Sequence, residues 1–226
     1  SLTRNEAGKV DGALTQVDGK EIRVNARSVV MATGVWLRDW DGRKNGQEAR
    51  LHIRPAKGVH VAIPWLKIRN DCTVTIPVLG RSRRATITRW GNVSYLGTTD
   101  EDYEGSLDDV HCTRKELDFL LEGARSALKT DLQPEDVVGS IAGCRPLVGP
   151  AGGKTMEMKR NHEIHVSEDG LVTIVGGKLT TSRHMAEQTV DTVEKQLGRR
   201  KPCTTKSAFL LGAAGYDSQA ITATGG

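Results

Sequence analysis

Short apolar runs alternate with glycine-centred turns over most of the chain, and only two stretches carry a helical period. Residues 9–24 hold two alternating runs around the turn signals Asp11-Gly12 and Asp18-Gly19-Lys20, which predict hairpin strands. Ser28–Ala32 is a continuous apolar run ending at Thr33-Gly34, and it predicts a strand covered on both faces, as in a parallel sheet. The polar residues of 38–50 read as a crossing between domains. Four closely spaced runs follow, Gly58–Trp65, Cys72–Leu79, Ala85–Trp90 and Val93–Gly97, the pattern of an antiparallel sheet.

Thr113 with Glu116 three residues on is a capping box. It opens a helix to about Lys129 that carries Leu117, Leu120, Leu121, Ala124 and Leu128 on one face. Pro134-Glu135-Asp136 predicts a further helical turn, and Gly139–Val148 a strand. Glu163–Val166 and Leu171–Val175 predict strands around the turn Glu168-Asp169-Gly170. Gly176-Gly177-Lys178 leads into a helix over about 180–197, with Ala186, Val190, Val193 and Leu197 in one stripe. Arg199-Arg200-Lys201-Pro202 reads as a linker, and Phe209–Gly215 as the start of a further element.

Composition narrows the function classes. A chain of 226 residues holds one large or two small domains and buries a core without disulfides or metal. Its 32 basic and 28 acidic residues leave a net charge of +4, too mild for a dedicated nucleic-acid binder. The 37% apolar and 27% charged content is that of a globular chain. No apolar run approaches the roughly 18 residues of a membrane-spanning helix, and the first residues hold no signal core. Cysteines 72, 112, 144 and 203 form no C-x-x-C pair, so they read as free thiols of a reducing compartment and no metal site is expected. The 25 glycines exceed the roughly 7% of an average chain; Gly34, Gly58, Gly97, Gly143, Gly176 and Gly177 follow or interrupt apolar runs, where backbone turns tightly or meets a ligand closely.

Several segments carry candidate chemistry. Leu171–Thr181 runs strand, glycine turn, helix start; the unpaired amides there and the charge of Lys178 suit a phosphate or the electron-rich edge of a reduced flavin, and equally an ordinary strand-to-helix connection. His60, after a glycine on a strand, has the residue type of a base that accepts an alcohol proton, or of a hydrogen-bonded half-buried histidine. Arg145, between small residues and a proline inside an apolar run, is poorly explained as solvated surface. Its planar fork suits a phosphate or carboxylate, or a structural salt bridge. Arg160 is a weaker case of the same kind. Gly97-Thr98-Thr99-Asp100 reads as an Asx-type turn, and Arg81, Arg83 and Arg84 as a solvated hairpin tip. Gly149–Thr155 lacks the first glycine of a P-loop, where Val148 stands, and there is no G-x-G-x-x-G.

Six segments together resemble the FAD-dependent glycerol-3-phosphate dehydrogenases, within the wider D-amino-acid-oxidase-like flavoproteins. They are Val29–Trp36 (VVMATGVW), Arg54–His60 (RPAKGVH), Gly97–Tyr103 (GTTDEDY), Ala142–Leu147 (AGCRPL), Arg160–His162 (RNH) and Gly170–Glu187 (GLVTIVGGKLTTSRHMAE), in family order over roughly residues 10–215. The resemblance implies an α/β (α+β) fold: a partial FAD-binding Rossmann-like domain with an inserted antiparallel-sheet substrate domain. In this reading 1–37 and 140–198 are the two parts of the flavin domain, 38–139 the substrate domain, and 199–226 a linker and the start of a truncated helical domain. It places Ala32, Thr33 and Gly34 by the FAD dinucleotide, and Gly177, Lys178, Leu179 and Thr180 at the isoalloxazine edge. His60 stands by the substrate hydroxyl, Arg145 and Arg160 hold the substrate phosphate, and Lys178 lies near flavin and substrate.

The implied activity is oxidation of sn-glycerol 3-phosphate to dihydroxyacetone phosphate, with electrons passed to a quinone. The implied setting is cytoplasmic, with peripheral contact at the inner face of a membrane; no nucleic acid is expected and a homo-oligomer is left open. The chain starts after the family's G-x-G-x-x-G unit and stops where the family continues into a C-terminal domain. An internal fragment that binds FAD weakly or not at all by itself is therefore expected. Residues 72–92 match the family poorly, so that part of the sheet is expected to be rearranged. The alternatives are a related FAD-dependent oxidase or dehydrogenase of another hydroxy or amino acid, and a non-catalytic anion-binding module.

Overall fold

The computed structural model describes residues 1–40, 52–77, 84–149, 161–213 and 215. Arg81, Arg83, Arg160 and the stretch 150–155 lie outside these described residues, as does most of the predicted crossing. The chain divides into two compact units, Ser1–Met31 with Ile164–Gly226, and Ala32–Glu163.

In the first unit β1 (Leu2–Arg4), β2 (Val10–Val17) and β3 (Lys20–Asn25) form an antiparallel sheet. Asp18 and Gly19 join β2 to β3 with φ of +50° and +73°, the left-handed pair that matches strand twist in a two-residue hairpin. Asp11-Gly12, expected as a second turn, lies inside β2 instead. A Cβ on Gly12 would stand 2.1 Å from the Val24 carbonyl oxygen, so this glycine serves close strand approach. The reversal between β1 and β2 is made by Asn5, whose Oδ1 accepts from the Ala7 and Lys9 amides at 3.1 and 3.0 Å.

The same unit holds β4 (Val30–Met31), β12 (Val172–Gly176) and, from Ile164 on, β11 (His162–Val166), in the order β11-β12-β4. Val30 and Met31 pair in parallel with Val172 and Thr173, bringing together the two distant strand-end motifs. Coverage differs from expectation: Met31 is buried, but Val30 is 41% exposed. A 3-10 turn at Leu179–Thr181 precedes α3 (Ser182–Gln196). The predicted stripe is not its buried face, since Ala186 and Val190 are exposed and Thr189 and Glu194 are buried. Burial of these polar residues is tolerated because Thr189 Oγ1 donates to the Met185 carbonyl at 2.8 Å and Glu194 accepts from the Lys201 amide at 2.7 Å.

The second unit is built on a larger antiparallel sheet. Its strands are β5 (His52–Pro64), β6 (Val74–Pro77), β7 (Arg84–Trp90), β8 (Val93–Gly97), β9 (Glu101–Asp102) and β10 (Gly139–Gly149). The order is β10-β5-β8-β7-β6, with β9 also pairing β5. The short helix α1 (Trp65–Ile68) follows β5, and α2 (Arg114–Ala127) covers one sheet face. β10 pairs with β5 from Gly139 opposite Ala62 to Gly149 opposite His52. Residues 140–149 thus pair within the large sheet, whereas the sequence reading drew them into the returning part of the flavin domain.

Alternation along β5 sends Val59, Val61 and Ile63 into the core with Ile87, Leu96, Leu120, Leu121 and Leu132. Each such side chain contributes about 1.5–3 kcal/mol by leaving water. Gly58, His60 and Ala62 take the other face. α2 starts at the capping box the sequence predicts: the Thr113 hydroxyl and amide donate to Glu116 Oε2 at 2.6 and 2.9 Å, and the Glu116 amide donates back at 3.3 Å.

Candidate active site

His60 stands on β5 directly opposite Gly97 of β8. A Cβ on Gly97 would lie 2.4 Å from His60 Cδ2, so only glycine leaves room for the ring there. Burial, and then the charge of Arg145, hold the half-buried imidazole below its ordinary pKa. Both effects disfavour the charged form, so His60 is neutral at pH 7 and carries a basic ring nitrogen.

Arg145 stands on β10 opposite Ala56, on the same face as Gly58 and His60. Its guanidinium lies across Gly58, and a Cβ there would meet Nη1 and Nη2 at 2.7 Å each. Nη2 donates to Thr98 Oγ1 at 3.1 Å, and Nη1 is 3.5 Å from Asp100 Oδ1. The Asp100 side chain is 6% exposed and that of Arg145 37%. The expectation of a buried guanidinium is corrected accordingly: the carboxylate is the buried partner, and the arginine lies on an open sheet face. An ion pair and a reachable fork coexist in this one side chain.

Gly97-Thr98-Thr99-Asp100, expected as an Asx-type turn, supplies two partners of the Arg145 side chain and the glycine that makes room for His60. Beyond the contacts of Thr98 and Asp100 with Arg145, Thr99 Oγ1 accepts from the Val59 amide at 3.0 Å. Two hydroxyls and a carboxylate straight after a strand-end glycine were the available signal; a local turn explained them without a distant arginine.

Lys178, Gly177, Leu179 and Thr180 belong to the first unit, and His60 and Arg145 to the second. Gly176 and Gly177 both have φ of +77°, a backbone natural to glycine. The exposed Leu179 and Thr180 lie in the 3-10 turn that Lys178 precedes. Ala32, Thr33 and Gly34 follow β4 and begin the second unit, and Gly34 has φ of +58°. All four cysteines are free. Burial pushes the Cys112 and Cys144 thiols up, so neither is a ready nucleophile.

Residues 1–191 match the FAD dependent oxidoreductase family. The chain is 35% identical over 209 residues to a glycerol-3-phosphate dehydrogenase of Mycobacterium leprae, covering 91% of this chain and 34% of that protein. It is 33% identical over 226 residues to glycerol-3-phosphate dehydrogenase 1 of Mycobacterium tuberculosis, covering 94% of this chain and 42% of the relative. Among solved structures, the glycerol-3-phosphate dehydrogenase of Bacillus halodurans complexed with FAD superposes with a TM-score of 0.79 at 30% identity, over 91% of this chain and 39% of that one. The chain thus spans well under half the length of these relatives. With the family match covering most of its residues, the chain belongs to the FAD dependent oxidoreductases.

Proposed function

We propose that the protein carrying this chain oxidises sn-glycerol 3-phosphate at its C2 hydroxyl, giving dihydroxyacetone phosphate. The carrying observation is the placement of Arg145 and His60 on one open sheet face, each laid against a glycine. A fork that reaches solvent suits a phosphate, and a neutral imidazole beside it suits the alcohol end of the same small molecule.

FAD fits the residues present. Gly176 and Gly177, with φ of +77° each, form a side-chain-free turn ahead of Lys178, a place for close approach of a planar ring. Gly177, Lys178, Leu179 and Thr180 would hold the flavin edge, and Ala32, Thr33 and Gly34 would lie by its dinucleotide. When bound, FAD supplies the acceptor for the hydride that leaves C2.

The chain's own residues do the rest. Arg145 binds the phosphate with paired charge-assisted hydrogen bonds and so fixes the distance from phosphate to C2. The family resemblance gives Arg160, outside the described residues, the role of a second cation for the phosphate. His60 receives the C2 hydroxyl proton, and its lowered pKa keeps it ready for that proton at neutral pH. By the family resemblance, Lys178 would add positive charge where electron density gathers on a bound flavin. The quinone acceptor and the site of action at the inner face of a membrane follow from the family resemblance.

The test is Arg145→Lys in the intact flavoprotein. Lysine keeps the charge and loses the fork, at about 1.5–3 kcal/mol for a charge-assisted bond. That corresponds to about a 10- to 150-fold loss in kcat/KM for glycerol 3-phosphate. Unchanged kcat/KM with a lowered Tm would reduce Arg145 to a structural salt bridge. Turnover of an amino acid in place of glycerol 3-phosphate would overturn the substrate.

A further inference from the structure

Four consecutive residues, Gly97 to Asp100, make contacts beside both Arg145 and His60. Gly97 admits the His60 ring. Thr98 Oγ1 accepts from Arg145 Nη2 at 3.1 Å and donates to the Thr99 carbonyl at 2.9 Å, so its proton is turned to the backbone while a lone pair faces the guanidinium. Thr99 exchanges two hydrogen bonds with Val59, the residue between Gly58 and His60: the Val59 amide donates to Thr99 Oγ1 at 3.0 Å, and the Thr99 amide to the Val59 carbonyl at 3.4 Å. Asp100 presents a 6% exposed carboxylate 3.5 Å from Arg145 Nη1.

From these contacts we infer that Asp100 and Thr98 are positioning residues for Arg145. Thr98 sets the plane of the fork, and Asp100 sets both its place and the strength with which it draws an anion. The inference rests on the phosphate-binding reading of Arg145. A guanidinium with five donors is able to hold two anchors and an incoming anion together. The two anchors differ in kind. Thr98 is neutral and affects only orientation. Asp100 is negative, so it opposes the arginine's attraction for a phosphate while it holds the fork still. Ground-state affinity is thereby traded for geometry, the exchange that raises kcat rather than tightening substrate.

This makes opposite predictions for binding and turnover. Asp100→Asn keeps the size and a hydrogen-bonding oxygen but removes the charge. Inorganic phosphate, titrated into the intact FAD-loaded protein, should then bind about 3- to 10-fold more tightly, because a unit charge a few ångströms from the anion is gone. In the same preparation kcat for glycerol 3-phosphate should fall about 10-fold or more as the fork loses its place. Thr98→Val removes an anchor without changing charge, so kcat should fall with no gain in phosphate affinity. The second variant also decides the matter if the first does not fold.

A merely structural pair would lower Tm and leave both quantities, per folded molecule, at wild-type values; that result overturns the inference. So does a wild-type protein that binds no phosphate. A wild-type protein that binds phosphate but does not oxidise glycerol 3-phosphate removes the proposed reaction instead, and the phosphate titrations of the two variants still decide the roles of Asp100 and Thr98.

Discussion

The two faces of the sheet around β5 hold cations in opposite kinds of site, Lys57 of β5 on one and Arg145 of the neighbouring β10 on the other. On the core face, Lys57 is 6% exposed and its Nζ lies 2.7 Å from Glu116 Oε2, an oxygen that Thr113 also binds in capping α2. On the open face, the Arg145 fork has a looser contact of 3.5 Å with Asp100, is 37% exposed, and stands beside His60. The first pair is closed: its charge is spent on tying a strand to a helix cap. The second is anchored and still reachable by solvent. A charged residue in a family motif therefore does not declare its role by type. RPAKGVH contains both Lys57 and His60, and the pleat alone sends one to the core and the other to the open face.

The comparison breaks most visibly at the closed pair. Lys57→Met leaves Glu116 buried without its partner and should cost about 3–5 kcal/mol of stability, read as a large fall in Tm. The double variant Lys57→Met with Glu116→Leu should recover most of that loss, since an apolar pair replaces an ionic one. Turnover per folded molecule should stay near wild type in both. If kcat instead collapses while Tm holds, the two faces have been assigned the wrong way round.

Gly97→Ala attacks the open face. The new methyl would stand 2.4 Å from the imidazole, against a backbone that cannot yield, so the His60 ring must leave its place. We expect kcat to fall about 100-fold, the scale of a displacement near 1 Å, with a smaller change in phosphate affinity. Equal loss of both would mean that the strand, rather than the ring, has moved.

Two pH effects are smaller and sharpen the contrast. His60 is held below its ordinary value by burial and by Arg145, so the acid limb of kcat/KM should lie below about pH 6.5. Arg145→Met removes the second cause, which favours imidazolium, and the limb should move up by less than about one unit. Movement downward would show that the charges do not act on His60 as assigned. On the closed face, burial alone would raise the Glu116 carboxyl, but its bonds to Lys57 and Thr113 outweigh burial and hold it below the usual range. A lowered folded pKa means that this contribution to stability is full above about pH 4.3 and is lost as pH falls through the folded value. Lys57→Met should flatten that acid decline in Tm; an unchanged decline would place its origin elsewhere.

Much of the local structure was legible in the chain. Thr113 and Glu116 announce α2 because a cap needs only residues three apart. Asp18-Gly19 announces the hairpin because both positions need a left-handed backbone. Legibility failed where the reason for a residue lay on another strand. Gly12 looks like a turn glycine, yet what demands it is the Val24 carbonyl across the sheet. The apolar stripe of α3 looks buried by its period, but the buried residues are Thr189, which donates to the Met185 carbonyl, and Glu194, which accepts from the Lys201 amide.

The site divides along the same line. The order of six motifs was enough to name the family and to single out His60, Arg145 and Lys178, because residue type and local spacing are properties of the chain. Only the tertiary structure decided that Arg145 lies across Gly58, that Gly97 makes room for His60, and that Asp100 is the buried partner of the arginine. Those facts depend on the register of β10 and β8 against β5, which puts residues some forty positions apart within hydrogen-bonding distance. A long-range register is set by the packing of the whole sheet, and no short stretch of sequence contains it.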